Sequence, residues 1–440
     1  MKKKNKIIKN ICIYLIIFII LLVAAVLQSL DLDQVWSYGF SYNISRGLIP
    51  YKDFNMIVGP LYSIIFSLPM IIFGNYIIAY KILHIMIYSL ILTIAYQKIG
   101  KKTIWLILLL YIQTVFCSYN VFAAMITILI LLLLDSDKKY KDLVIGILIG
   151  IIIVTKHNIG LAMFIVYFFT SKKKLISILN TSIPVIVSLI YLLCTNSLLE
   201  YLNFCIFGMG GFISNLRIEI VPFILTILLI IHYVRRYIKL KDSKILYILS
   251  FLIIVFPLIE NIHLCVGLIP IVYYILKEEY NTNIYKLMIV FIVFGLISAT
   301  IPINNLEIVL DNNFYKYNSL EKGVSQSIEN YSDYIKKIDG NVYIFIANAY
   351  SIKLIDNQTT TFYDLINKGN LGKNENKYID LISEKCKKEK CTFILDKKYF
   401  QKPKIDGWQM STTFKDYVIE NYNYVETIPS GDRLYNNEKN

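Results

Sequence analysis

The chain has 440 residues, 56% of them hydrophobic, a mean hydropathy of +0.56 and a formal net charge of +14. The apolar residues are gathered into long runs before residue 304, which excludes a soluble globular core and reads as an α-helical polytopic membrane protein. Residues 1–303 carry 26 Lys and Arg against 12 Asp and Glu, whereas 304–440 carry 19 of each. The excess basic residues form short clusters between apolar runs, as membrane orientation requires, so nucleic acid is not expected as a partner.

The first run, 11–30, follows five lysines. At about 20 residues it is long enough to span a bilayer, and it reads as an uncleaved first helix with the N-terminus in the cytoplasm. A polar stretch from residue 31 carries Asp31, Asp33 and Asp53. The next apolar segment, 57–73, decides the topology. If it crosses the membrane, Lys98, Lys101 and Lys102 fall outside and every later loop inverts. If it lies on the outer surface or re-enters, the clusters at Lys98–Lys102, Lys138–Lys141, Lys172–Lys174, Arg235–Lys244 and Lys277–Lys286 all face the cytoplasm. The second arrangement is therefore expected.

The remaining runs, 76–97, 104–118, 120–134, 143–156, 158–170, 175–194, 218–234, 245–259, 263–276 and 286–303, read as further spans. They make about 11 transmembrane helices in a domain over 1–303, with an outer loop over 31–75. Arg46, Lys52, Lys156 and Arg217 are then the basic residues near the outer face. Residues 304–440 read as a small extracytoplasmic α/β domain, with strands at Asn341–Ala347 and Cys391–Leu395 and helices at Tyr378–Lys388 and Phe414–Asn421. No solenoid-type repeat is visible.

Seven cysteines show no metal-ligand spacing. Cys12, Cys117, Cys194, Cys205 and Cys265 lie in or beside apolar runs and read as packing residues. Cys386 and Cys391 lie in the hydrophilic tail, where a short-range disulfide is open to them.

Aspartates at the outer boundary of a helix either mark its end or act as a base. Partial desolvation raises their proton affinity and lets them take a proton from a hydroxyl. Lys156 either snorkels to the interface or meets an anion. His263, one turn after Glu260, can pair with it or face the same cavity.

Asp33-Gln34, Gly47-x-x-Pro50-Tyr51-x-Asp53-Phe54, Pro60 and Phe73-Gly74 together resemble the first outer loop of the GT-C fold, polyprenyl-phosphate-sugar-dependent membrane glycosyltransferases, in particular the bacterial relatives of protein O-mannosyltransferases and of the aminoarabinose lipid A transferase. Thr155-Lys156-His157-Asn158-Ile159-Gly160 and Pro257-x-x-Glu260-x-x-His263 with Pro270 extend the resemblance. So do Asp364 to Gly372 and Gly407-Trp408-Gln409 in the tail. Gln34 stands where the family has Glu, and Glu260 where Asp is usual.

The resemblance implies transfer of a sugar from a polyprenyl-phosphate donor to a cell-surface glycan, lipid or protein on the outer face of the bacterial cytoplasmic membrane. Asp33, with Asp31 beside it, is the expected catalytic base, and inversion the expected stereochemistry. Asp53, Lys81, Lys156, Glu260 and His263 are the expected substrate contacts. A divalent cation, Mg²⁺ or Mn²⁺, would be compatible with aspartates facing a phosphate, but no ligand set follows from spacing. A flippase or transporter of lipid-linked sugars, or an outer-leaflet glycan polymerase or ligase, would also need basic residues near a lipid phosphate. A transporter would need no base in the first loop and would be expected to show internal repeats.

Overall fold

The structure is a computed structural model that describes residues 2–27, 32–54, 56–74, 76–112, 116–207, 217–256, 258–280, 282–298, 334–345, 375–401, 404–405, 408–409 and 412–437. Two compact units interleave along the sequence. The first comprises Met1–Ser41, Val58–Ile190 and Arg217–Leu320; the second comprises Tyr42–Ile57, Tyr191–Leu216 and Glu321–Asn440.

The helices run α1 (Lys2–Leu27), α2 (Leu32–Ser45), α3 (Pro60–Phe73), α4 (Ile77–Ile99), α5 (Thr103–Tyr111), α6 (Tyr119–Leu134), α7 (Lys141–Ile153), α8 (His157–Thr170), α9 (Lys174–Cys194) and the short α10 (Leu198–Tyr201). Strand β1 (Arg217–Ile218) then leads into α11 (Ile220–Leu240) and α12 (Ser243–Phe251), and β2 (Leu258–Ile259) into α13 (Asn261–Glu278) and α14 (Asn283–Ser298). Among the described residues five segments are long and apolar enough to cross a membrane: Asn5–Ala25, Ile77–Tyr111, Lys174–Cys194, Ile220–Leu240 and Asn261–Glu278. Helices α3, α6 and α8 are apolar but shorter.

Hydrogen bonds identify the two ends of the first unit. At one end the last turn of α1 lies beside the start of α4, where the Lys81 ammonium donates to the Ala25 carbonyl at 2.7 Å. Helix α2 begins at this end and reaches the head of α6, and the close of α7 reaches it too, through Lys156. Helix α3 starts here, because the Gly59 amide donates to Thr155 just past α7. It also finishes here, at Gly74, two residues before the N-cap of α4. A Cβ on Gly59 would fall 2.0 Å from the Val154 carbonyl oxygen, so only glycine allows the approach. Helix α7 meets α9 the same way: Gly146 and Gly150, four residues apart, receive Asn180, Thr181 and Pro184, the small-residue packing of membrane helices.

The opposite end is cross-linked by charge. Asp135, after α6, accepts from Lys244 at 3.2 Å and also pairs with Lys277, while Lys244 and Lys277 reach Glu278 at 3.1 and 2.9 Å. Burial pushes the Asp135 carboxyl up, but hydrogen bonds and attraction from Lys277 and Lys244 outweigh it and hold the group below the ordinary value. Lys102 lies 3.5 Å above the Tyr280 ring and caps the Leu276 carbonyl. The clusters at Lys98–Lys102, Arg235–Lys244 and Lys277 thus meet at one end of the bundle.

In the second unit, strands β3 (Asn341–Phe345), β4 (Cys391–Leu395), β7 (Asn423–Thr427) and β8 (Arg433–Asn436) form one sheet, and β5 (Lys404–Ile405) pairs with β6 (Trp408–Gln409). The four-stranded order is β3-β4-β8-β7, with β3 parallel to β4 and the other neighbours antiparallel. Helices α15 (Glu375–Cys386), α16 (Lys398–Gln401) and α17 (Thr412–Asn421) intervene. One sheet face buries Val342, Ile344, Ile394 and Leu434. On the other, Tyr343 stacks on Phe393 and Phe345 meets Phe414 of α17. Cys386 and Cys391 form a disulfide that ties α15 to β4. The stretch 364–372 and Gly407, named among the sequence motifs, lie outside the described residues.

Candidate active site

The polar stretch after the first helix is itself helical. In α2 residues 36–43 are all buried, and among them and Gln34 the polar Gln34, Ser37 and Ser41 form a stripe at three- and four-residue spacing. Buried polar groups need partners, and this stripe supplies them to the link between α5 and α6. Gln34 Oε1 accepts from the Cys117 amide at 3.0 Å, and Ser37 Oγ accepts from the Tyr119 amide at 3.4 Å. The residue that stands where the family has Glu thus acts here as a structural pin. Asp33 occupies the first turn of α2, next to Gln34. Asp31 lies outside the described residues.

The same link holds Lys156. Ser118 caps α6 by accepting from the Val121 amide, and in the first turn Asn120 offers its side-chain oxygen to the Lys156 ammonium at 2.8 Å. Lys156 is itself the N-cap residue of α8, and its ammonium lies 5.0 Å above the Tyr119 ring. Residues 117–120 therefore join the helix that carries Asp33 to Lys156.

Lys81 is fully buried in the second turn of α4. Burying an ammonium costs several kcal/mol unless it is paired, and here it meets a carbonyl from the last turn of α1, where carbonyls lack helical partners. Beside it Tyr62 of α3 contacts Tyr80 Oη and His84 Nε2, both at 2.7 Å, and Tyr80 donates to the Cys117 carbonyl at 2.8 Å. This cluster ties α3 and α4 to the same 117–120 link.

Glu260, the N-cap residue of α13, is 7% exposed, and its Oε1 lies 3.0 Å from His263 Nδ1. The head of α13 is fixed by Glu219, whose carboxylate accepts from the Asn261 amide and side chain, and by the β1–β2 pairing. Helix α13 packs along α6, so this pair lies at the same end as residues 117–120. Asp53 belongs to the second unit. It is exposed and closes its own turn, accepting from the Ile49 amide at 2.7 Å, with Tyr51 at a φ of 65°.

Among the described residues no group of three His, Cys, Asp or Glu side chains could hold a metal. Glu260 is engaged with His263 and Asp53 with its own turn, so the described carboxylates do not make the oxygen-rich set that Mg²⁺ or Mn²⁺ needs.

The sequence reading named Lys81, Lys156, Glu260 and His263, and all four lie at one end of the first unit. It did not name Asn120, Tyr119 or the pinning role of Gln34. The signal was present in Ser118-Tyr119-Asn120, a polar trio heading an otherwise apolar helix.

The overall fold has a solved counterpart. The chain is similar to ArnT from Cupriavidus metallidurans, solved bound to undecaprenyl phosphate, with a TM-score of 0.57 and 9% identity over 99% of this chain and 98% of that one. At that identity the likeness is one of fold. No family model and no curated protein matches the sequence.

Proposed function

We propose that the protein is a membrane glycosyltransferase that moves a sugar from a polyprenyl-phosphate donor to a cell-surface glycan, lipid or protein. The observation that carries this reading is the meeting, on residues 117–120, of the helix bearing Asp33 and the side chain of Lys156, within a fold like that of a protein solved with undecaprenyl phosphate.

Asp33 takes the proton of the acceptor hydroxyl as its oxygen attacks the anomeric carbon. The bond from that carbon to the phosphate oxygen breaks, and the electron pair leaves with the polyprenyl phosphate. A single displacement inverts the anomeric configuration. Negative charge grows on the phosphate oxygens, and Lys156, held at a set position by Asn120, meets it as it forms. Lys81 and His263 are further phosphate contacts, Glu260 sets the position of His263, and Asp31 is a second carboxylate beside Asp33.

The end with Lys156 faces outward and the end with Asp135, Lys244 and Lys277 faces the cytoplasm, since basic clusters are retained inside. On this orientation the chain crosses about 11 times over 1–303, α3 rests at the outer surface, and 304–440 forms an extracytoplasmic domain. Labelling of single cysteines placed at Lys139 and Lys52 in intact cells tests the orientation. Position 52 should react with an impermeant maleimide and position 139 should not; the reverse pattern would overturn it.

The function is tested with purified protein and a set of polyprenyl-phosphate sugars. Release of polyprenyl phosphate that depends on an added acceptor is expected. Movement of intact donor across vesicle bilayers without cleavage would instead make the protein a transporter.

A further inference from the structure

A cavity of about 290 Å³ opens between α11, α13 and α14, reaching Leu264 in the first turn of α13. Its walls are almost wholly aliphatic, among them Leu225, Leu228, Leu268 and Leu287, and its polar lining residues are His232 and Asn283. Leu225 and His232 on α11 are seven residues apart and Asn283 and Phe291 on α14 are eight apart, so the slot runs for about 10–12 Å along the helices. Leu228 and Leu287 are 57% and 52% exposed, so the slot is open along its side.

The wall on α11 changes character along its length. Leu225, Leu228 and His232 recur at three- and four-residue steps, and the same stripe continues into Arg235, Arg236 and Lys239. Arg236 and His232 both pair with buried Glu279, at 3.4 and 3.3 Å. Arg235 and Lys239 are exposed one turn farther on. An apolar slot the length of several methylenes therefore ends at surplus positive charge, at the depth of the bundle where the basic clusters collect.

The geometry points to a binding site for an anionic membrane phospholipid, with one acyl chain in the slot and the phosphate beside Arg235 and Lys239. The bilayer supplies this occupant from the leaflet on the basic side. The chemistry matches at both ends: the slot excludes water and takes hydrocarbon, and each basic side chain near a membrane surface favours an anionic headgroup. The slot reaches Leu264 beside His263, but the proposed headgroup contacts, Arg235 and Lys239, lie toward the other end of α11, and the proposal does not depend on the transfer reaction. It does rest on the chain being membrane-embedded, so its failure leaves the transferase proposal standing.

The test uses the full chain in neutral detergent, stripped of co-purified lipid, with thermal unfolding followed as phosphatidylglycerol or phosphatidylcholine of identical chains is added. A saturable stabilisation is expected, half-reached at much lower phosphatidylglycerol. Arg235→Gln and Lys239→Gln should each weaken that preference about fivefold, the effect of one basic residue at a membrane surface. Leu228→Trp, at an exposed position that tolerates the larger ring, should fill the slot and remove the response to both lipids. Equal responses to the two lipids in the unaltered protein would overturn the proposal. So would an unchanged response in Leu228→Trp, or loss of bound phosphatidylglycerol to equimolar undecaprenyl phosphate, which would assign the slot to the sugar donor's tail.

Discussion

The two ends of the helical unit hold their charges differently. At the end with Asp135, ammonium groups meet carboxylates: Lys244 and Lys277 are shared between Asp135 and Glu278, and the charges cancel within the cluster. At the other end, the hydrogen bonds described for Lys81 and Lys156 run to neutral oxygens, the Ala25 carbonyl and the Asn120 amide. A neutral oxygen fixes where an ammonium lies and which way it points. One end is held by paired charges that run between helices, and at the other the described contacts set the positions of two ammonium groups.

Substitutions can break this contrast. Lys156→Met should lower kcat by about 10²-fold or more, the scale of losing one donor to a developing oxyanion, with little change in thermal unfolding. Steady-state rates with a polyprenyl-phosphate sugar measure it, and a loss confined to KM would mean that Lys156 binds donor and transition state alike. Gly59→Ala sets a Cβ against the Val154 carbonyl and must shift the turn that leads into Lys156. Because misplacing a catalytic group by about 1 Å can cost two orders of magnitude, a fall of at least about tenfold in kcat is expected. Asn120→Ala leaves Lys156 in place but loosely held, and about a tenfold loss follows, partly recovered by Asn120→Gln.

The charged end should respond in stability, with activity largely kept. Asp135→Asn removes the negative charge shared by Lys244 and Lys277 and should cost about 2 kcal/mol, the scale of hydrogen bonds to charged groups. The Asp135 carboxyl is held below its ordinary value of 3.8 in the folded protein, so its contribution is fully present above that pH. It is lost as pH falls through the lower folded value. Unfolding midpoints of the unaltered protein and Asp135→Asn should therefore differ at pH 7 and converge in acid. A constant difference would show that packing, not charge, sets the effect.

Much of the fold was legible in the sequence. An apolar run long enough to cross a bilayer folds as a helix, and the runs at 76–97 and 175–194 match α4 and α9 within a few residues, as the shorter run at 158–170 matches α8. The spacing of Glu260 and His263 allowed either a pair or a shared cavity, and the structure shows the pair. Helix α2 was not read as a helix because its buried stripe carries Gln34, Ser37 and Ser41, and a polar inward face looks like a loop until the backbone it serves is known. Strands β7 and β8 were missed for a related reason: each is only four or five residues long, and their hairpin gains its place when β8 pairs with β4, distant in sequence. Asn120 escaped notice because a lone amide heading an apolar helix resembles an ordinary cap, and its meaning comes from Lys156, 36 residues later.

The central claim is that the helix following α1 carries the base. Asp33→Asn is nearly isosteric, so insertion and folding should be preserved, which the unfolding midpoint checks. Turnover of purified protein with polyprenyl-phosphate sugar and acceptor should fall by about 10²–10⁴-fold, the range expected when a general base is removed. Full turnover by a correctly inserted Asp33→Asn protein would contradict the account.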